Sequence, residues 1–122
     1  HEGAATKAKI MHCDIITWNI LICPRVELDE KGVLRVKWRG ILVDWELSKT
    51  ITDDGHAETA PQGVSGTWKF ASVYILSNPK KPMEIADEIE SIFHVTLYNS
   101  LCYLRHTCKS LRDTMSDYFD HF

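Results

Sequence analysis

The chain has 122 residues, of which 44% are hydrophobic and 25% are charged, and its formal net charge is −3. This length suits one modest domain, and the composition is that of a globular protein rather than a disordered one. The net charge offers no bulk electrostatic reason to bind nucleic acid or an anionic membrane, and no run of about 18 apolar residues predicts a transmembrane helix. We therefore expect a globular domain with neither of these partners.

The first half of the chain predicts a helix end followed by short strands. Residues 1–9 are rich in Ala and Lys and fit the end of a helix. Four segments then show the apolar run or alternation typical of strands. They are 19–23, which we expect to stop at Pro24, 25–29 and 33–38, which form a hairpin around 30–32, and 41–43.

The second half predicts a long loop and then helices. Residues 50–66 are rich in Thr, Asp, Gly, Pro and Ser and carry no hydrophobic period, which indicates a functional loop. We expect three helices after it, with Lys80 and Lys81 as a solvated pair between the first two. They are a short one at 70–76, a long one at 83–105 and an amphipathic one at 110–118. Since apolar residues cover more than one face of the long helix, we expect Ile89, Phe93 and Leu97 to be buried.

Two acidic residues carry the chemical argument. His12, Asp14 and Asn19 form the pattern H-x-D-x-x-x-x-N, and an apolar segment ends in Asp44 thirty residues after Asp14. Phosphoryl transfer needs one carboxylate to orient or deprotonate the attacking hydroxyl. It also needs a second carboxylate, with an amide oxygen, to hold magnesium at the phosphates. The spacing therefore favours a phosphoryl-transfer site.

The motifs resemble those of the protein-kinase superfamily. Residues 66–72, Gly-Thr-Trp-Lys-Phe-Ala-Ser, are similar to the segment that closes a kinase activation loop. Residues 87–93, Asp-Glu-Ile-Glu-Ser-Ile-Phe, look like the start of the central helix in fungal-type protein kinases. Small-molecule phosphotransferases share the acidic motifs but lack these two segments. Over roughly residues 10–100 the chain therefore resembles the fungal-type protein kinase family.

The resemblance implies a fold of the α/β class, in the α+β sense: a kinase-like C-terminal lobe with a catalytic loop, small β-hairpins, an activation loop and a central hydrophobic helix. It implies ATP and Mg²⁺ as cofactors, a protein substrate or partner, and six site residues. These are Asp14 as catalytic base, Asn19 and Asp44 as cofactor and magnesium ligands, and His12, Thr67 and Glu88 as structural supports.

The same resemblance implies that residues 1–122 form a single partial domain. The sequence contains no Gly-rich loop and no strand lysine ahead of the catalytic loop, which are the parts that cover ATP in kinases. We therefore expect the N-terminal lobe of the same protein as a partner, and no activity from the chain alone. The last helices of the lobe are also expected to be absent.

Departures from the family pattern leave the activity open. Cys13 replaces the usual Arg, Ile16 replaces a Lys or Ser, and Thr17-Trp18 replaces Pro-Gly. The leading interpretation is a parent protein that phosphorylates protein Ser or Thr. The alternatives are a degenerate pseudokinase scaffold and a small-molecule phosphotransferase of the aminoglycoside or choline type. Because the four cysteines form no C-x-x-C pair, we expect reduced thiols in an intracellular protein, cytoplasmic or nuclear.

Overall fold

The computed structural model describes residues 3–58 and 68–120, in which helices accompany two small antiparallel sheets, an α+β arrangement. The elements, in chain order, are a π-helical turn at Ala4–Ala8, β1 at Ile10–Met11, a 3₁₀ turn at Thr17–Asn19, β2 at Ile20–Leu28, β3 at Leu34–Leu42, β4 at Lys49–Thr50, a 3₁₀ turn at Trp68–Phe70, α1 at Val73–Ser77, α2 at Ile85–Tyr103 and α3 at Leu111–Phe119.

Strands β2 and β3 form a long hairpin. Nine cross-strand pairs join them, from Ile20 opposite Leu42 to Leu28 opposite Leu34. In the turn, the Asp29 carboxylate accepts the main-chain N–H groups of Lys31 and Val33, each at 2.9 Å. Gly32 takes the left-handed φ of 72° that glycine adopts readily. The predicted hairpin turn is therefore confirmed.

The strand boundaries predicted around this hairpin were wrong. Pro24 lies inside β2, opposite Trp38, and does not end the strand. The segments expected to be separate strands at 19–23 and 41–43 are instead parts of β2 and β3. A proline cannot donate a ladder hydrogen bond, but a strand with one free edge does not need every N–H for pairing. The two strands therefore run on past the proline.

Two apolar clusters frame the segment between β1 and β2. The first contains Ala5, Met11, Ile51 and Ala57, and lies beside the two-stranded sheet in which β1 pairs with β4. The second contains Ile15, Phe70, Val95 and Phe119. Met11 precedes the H-x-D-x-x-x-x-N motif and Ile15 lies within it. Buried side chains therefore anchor the motif just before its first residue and near its middle.

Helix α2 is continuous, as the sequence predicted, but its buried face is not the expected one. Ile89 and Phe93 are 58% and 57% exposed, and Leu97 is only partly buried. The buried positions form a largely polar stripe. They are Asp87, Glu88, Ser91, His94 and Val95. The prediction was wrong because it assumed that the most apolar face of the helix is the buried one. This helix instead buries side chains that hydrogen-bond to other parts of the chain.

The shorter helices agree with the sequence in part. Helix α3 matches the predicted amphipathic helix to within one residue at each end, and the hydroxyl of Ser110 caps it by accepting the Asp113 main-chain N–H. The helix predicted at 70–76 is divided into a 3₁₀ turn and α1, which Ser72 caps. Across residues 3–58 and 68–120, none of the helices has both the length and the apolar character required to cross a membrane.

Candidate active site

His12 anchors the loop that carries the motif. It follows β1 directly and is fully buried. Its Nε2 lies 2.9 Å from the Val43 carbonyl oxygen, and its Nδ1 lies 3.3 Å from the main-chain nitrogen of Asp14. A carbonyl only accepts and an N–H only donates, so the proton belongs on Nε2. The imidazole also meets the Trp45 ring edge-on, with the two ring centroids 4.7 Å apart. His12 thus links the loop to the end of β3.

Asp14 and Asn19 are in direct contact. The Asn19 amide nitrogen donates to the Asp14 main-chain oxygen at 2.9 Å and to its Oδ2 at 3.0 Å. Both acceptors require the NH₂ group on that side, which leaves Asn19 Oδ1 for another partner. The second carboxylate oxygen, Asp14 Oδ1, is buried and has no hydrogen-bond partner among the described residues. The Thr17 hydroxyl oxygen is likewise buried without a hydrogen-bond partner among the described residues, and such atoms are few in native structures.

The residue before Asp44, Val43, connects Asp44 to the loop that carries Asp14 and Asn19. The Val43 N–H donates to the Asn19 carbonyl at 2.9 Å, and the Val43 carbonyl is the oxygen that His12 binds. Asp44 itself is exposed and has a φ of 62°. Cys13, beside Asp14, has a φ of 66°. Left-handed conformations are uncommon for residues other than glycine, and such strain concentrates at functional sites.

Glu88 ties helix α2 to the same loop. Its carboxylate accepts the main-chain N–H of Cys13 at 2.6 Å, across 75 positions of sequence. The side chain is almost completely buried, and this burial raises the pKa of Glu88 above its ordinary value even though main-chain N–H groups of Cys13 and His12 favour the ionised form. The geometry of the loop therefore depends on a residue of the second half of the chain.

The family comparison accords with this arrangement. A model of the family described as Fungal protein kinase matches residues 1–100. The chain belongs to the fungal protein kinase family. Searches of curated proteins and of solved structures each found no significant match. The suspected family membership is thereby confirmed.

Magnesium is the metal normally used by protein kinases, and the donor set of this fungal protein kinase chain fits it. No group of three or more His, Cys, Asp or Glu residues in the described ranges could hold a metal ion. Magnesium, however, is usually held by only one or two protein carboxylates together with water and phosphate oxygens. The Asn19 Oδ1 atom and the Asp44 carboxylate are hard oxygen donors of the required type.

Cys13 contributes through its backbone rather than through its thiol. Burial, reinforced by the nearby Glu88 carboxylate, raises the pKa of Cys13 to about 11. The thiol therefore stays protonated near neutral pH, and a protonated thiol is a poor nucleophile. The main-chain N–H of Cys13 is the group that matters here, since it binds Glu88.

A second buried network lies where α1 meets α2. The Ser72 hydroxyl donates to Asp87 Oδ1 at 2.6 Å, and the Lys81 ammonium donates to Asp87 Oδ2 at 3.1 Å. Burial alone would raise the pKa of Asp87, but hydrogen bonds from Ser72, the Glu84 main-chain N–H and Lys81 hold it below its ordinary value. The prediction of a solvated Lys81 was wrong, because its side chain is only 13% exposed and is paired with this carboxylate.

Sequence reasoning missed Ser72 and Lys81 as parts of this network. The signal for Ser72 was available, since a serine directly before a helical pattern is a preferred N-cap. No comparable signal exists for Lys81, whose partner is selected by folding. Thr67, named as a structural support, lies outside the described residues, as do the other positions of 59–67.

Proposed function

We propose that this chain supplies the catalytic base and the metal-holding side chains of a protein kinase that transfers the γ-phosphate of ATP to Ser or Thr of a protein. The observation that carries the proposal is the state of the Asp14 carboxylate. One of its oxygens accepts a hydrogen bond from the Asn19 amide, and the other, Asp14 Oδ1, has no hydrogen-bond partner among the described residues. A carboxylate oriented in this way is prepared to accept one hydrogen bond from an incoming hydroxyl.

In the proposed reaction, the substrate hydroxyl donates to Asp14 Oδ1. As the hydroxyl oxygen forms its bond to the γ-phosphorus, the bond from that phosphorus to the bridging oxygen of ATP breaks, and ADP leaves with the electron pair. The hydroxyl proton passes to Asp14. Asn19 keeps the carboxylate in place through its amide, and Glu88 and His12 keep the loop in place.

Asn19 Oδ1 and the Asp44 carboxylate would hold magnesium, which when bound neutralises charge on the phosphate oxygens. The left-handed backbone at Asp44 and the two hydrogen bonds of Val43 support this assignment, because they hold the Asp44 main chain beside the loop.

Thr17 is proposed to replace a polar group that the family normally carries one residue earlier. Ile16 packs against the second apolar cluster and cannot hydrogen-bond a phosphate or a substrate. The Thr17 hydroxyl, which is buried and finds no hydrogen-bond partner in residues 3–58 and 68–120, lies in the same loop as Asp14. In the full-length kinase, Thr17→Val should lower the rate of transfer while Thr17→Ser retains it. Equal rates for both variants would show that the hydroxyl has no part in the reaction.

We also propose that residues 1–122 act as part of a kinase C-terminal lobe and require an N-terminal lobe to hold ATP. The sequence contains no Gly-rich loop. Positioning of the phosphates accounts for most of what a kinase contributes, and those parts lie in the other lobe. The chain by itself is accordingly proposed to be inactive.

A pseudokinase scaffold is the second candidate, and two residues favour it. Ile16 leaves no polar group two residues after Asp14, and the Trp18 indole, in place of a tight-turn glycine, is 83% exposed beside the loop. Such a protein would keep the fold while failing to bind ATP with magnesium.

The discriminating experiment measures nucleotide binding and phosphate transfer in the full-length protein. Asp44→Asn should abolish magnesium-dependent ATP binding, whereas Asp14→Asn should leave binding intact and remove turnover. Asp53→Asn, an exposed position outside the site, serves as the matched control and should change neither. Phosphate should appear on a protein substrate rather than on an aminoglycoside or choline. Absence of ATP binding by the full-length protein with magnesium would refute the enzyme and leave the scaffold.

A further inference from the structure

Trp18 is the most exposed of the large apolar side chains among the described residues. Its relative exposure is 83%, although it lies in the loop that carries Asp14 and Asn19. Single exposed apolar residues are common on protein surfaces. Trp18 differs from them in its place, because the next residue, Asn19, is the one that binds the Asp14 carboxylate. Trp18 therefore adjoins the group that holds the proposed catalytic base.

The local backbone turns this indole outward. The 3₁₀ turn at Thr17–Asn19 is closed by the Asn19 main-chain N–H, which donates to the Ile16 carbonyl at 3.1 Å. Successive residues of a 3₁₀ helix project about 120° apart, since three of them complete one turn. Asn19 and the Thr17 hydroxyl are buried, and Ile16 packs against the second apolar cluster. Because its neighbours are directed inward, Trp18 is the position of this turn that faces solvent.

The segments around Trp18 are acidic. Residues 12–20 contain one carboxylate, that of Asp14, and neither Lys nor Arg. The segment 43–47, whose first residue hydrogen-bonds to this loop, contains two more carboxylates and again no Lys or Arg. The first basic residue after it is Lys49, whose single charge leaves the three carboxylates in excess. An indole face attracts cations, and the surrounding negative charge favours a cationic ligand over a neutral one.

Substrate access distinguishes this place from the other exposed apolar surfaces of the chain. The hydroxyl that is to be phosphorylated must reach Asp14, so the space next to Asp14 has to admit a substrate segment even when a further lobe is present. Each residue of an extended segment spans about 3.3–3.6 Å. A residue one or two positions from the acceptor therefore lies about 3–7 Å from it along the segment, within reach of the side chain next to Asn19.

We propose that the Trp18 indole binds a cationic side chain, Arg or Lys, that lies one or two residues from the Ser or Thr accepting the phosphate. The substrates are then protein segments in which a basic residue flanks the acceptor. This role of Trp18 presupposes the kinase function proposed above, and it narrows that function to a class of substrate. The indole that replaces a tight-turn glycine thus becomes a determinant of specificity.

The test uses the full-length protein with ATP and magnesium, and two peptides that differ only in charge. The first peptide carries Arg at the two positions on either side of a Ser acceptor. The second carries citrulline there, which has the shape of Arg without its charge. Since an exposed cation–π contact changes affinity about two- to fivefold, the wild type should have a lower KM for the Arg peptide by at least about that factor.

Variants separate the contribution of the indole from that of the acidic surface. Trp18→Ala should raise the KM for the Arg peptide about two- to fivefold and the KM for the citrulline peptide much less, whereas a general structural defect would raise both. Trp18→Tyr keeps an aromatic face and should stay close to the wild type. Trp38→Ala, at an exposed indole in β3, is the matched control and should keep the wild-type preference. Circular dichroism establishes that each variant is folded.

The outcomes distinguish the role of Trp18 from the kinase function. A wild type that treats the two peptides alike, or a Trp18→Ala variant that keeps the preference for Arg, would overturn the role of Trp18 and leave the kinase function standing. If neither peptide is phosphorylated, ATP binding decides the kinase function as above, and fluorescence anisotropy of the labelled peptides decides the role of Trp18. Tighter binding of the Arg peptide that Trp18→Ala abolishes would support that role, and equal binding of the two peptides would overturn it.

Discussion

The link between Glu88 and Cys13 yields the sharpest test of how the catalytic loop is held. Glu88→Ala removes a carboxylate oxygen that lies 2.6 Å from the Cys13 main-chain nitrogen. Cys13 itself has a left-handed φ of 66°. Without that acceptor a partly buried N–H loses its partner, and the strained loop loses its tie to α2. The change should destabilise the folded chain.

The magnitude follows from two opposing effects. A hydrogen bond to a charged acceptor contributes about 1.5–3 kcal/mol, and the unpaired donor adds to the loss. Burial disfavours the ionised carboxylate, so removing Glu88 relieves part of that penalty at neutral pH. The expected net loss is about 1–3 kcal/mol at pH 7, a large share of the 5–15 kcal/mol typical of a domain. Glu88→Gln keeps an acceptor oxygen and should change stability by less than about 1 kcal/mol.

The dependence of the stability on pH tests the contribution of Glu88 independently. The pKa of Glu88 is raised in the folded chain above its ordinary 4.5, so the folded state holds this proton more tightly than the unfolded state does. The contribution of Glu88 to stability is therefore fully present below pH 4.5 and declines as the pH rises through the folded pKa. The loss on Glu88→Ala should be greater at pH 4.5 than at pH 7.

The assay is urea denaturation followed by tryptophan fluorescence at those two pH values. Glu30→Ala, an exposed position in the hairpin turn, is the control and should lie within about 0.5 kcal/mol of the wild type. If Glu88→Ala unfolds with the wild-type free energy at pH 4.5, the reasoning about this link is wrong.

Three further predictions use the same structure. Because burial raises the pKa of Cys13 to about 11, iodoacetamide at pH 8 should label the exposed Cys102 long before Cys13. Mass spectrometry of tryptic peptides measures the two rates of labelling, and equal rates would contradict the burial of Cys13. Phe119→Ala should lower the free energy of unfolding by about 3–5 kcal/mol because the ring is buried, whereas Phe93→Ala, at a ring that is 57% exposed, should lower it by less than about 1 kcal/mol. Comparable losses in denaturant titrations of the two variants would refute this division. Burial would raise the pKa of Asp87, but its hydrogen bonds hold that pKa below the ordinary value, so its contribution to stability is present above pH 3.8 and is lost as the pH falls. In thermal melts, Asp87→Asn should therefore cost more stability at pH 7 than at pH 3. The reverse order would count against the network.

The sequence by itself predicted the features that depend on neighbouring residues. The hairpin turn around residues 30–32 follows from turn residues between alternating strands, and α3 follows from its amphipathic pattern. The contact between Asp14 and Asn19 is also local, since only five positions separate the two residues. Family membership rested on the same short motifs, because each is a run of residue types at fixed spacing.

Only the tertiary structure decided which distant groups meet. His12 binds Val43 across 31 positions and Glu88 binds Cys13 across 75, and no periodicity in the chain encodes either partner. Helix α2 shows the physical reason most clearly. A count of apolar residues favoured burying Ile89 and Phe93, yet the fold buries Asp87 and Glu88 instead. A polar side chain can be buried at little cost when a partner completes its hydrogen bonds, and that partner exists only once the chain has folded.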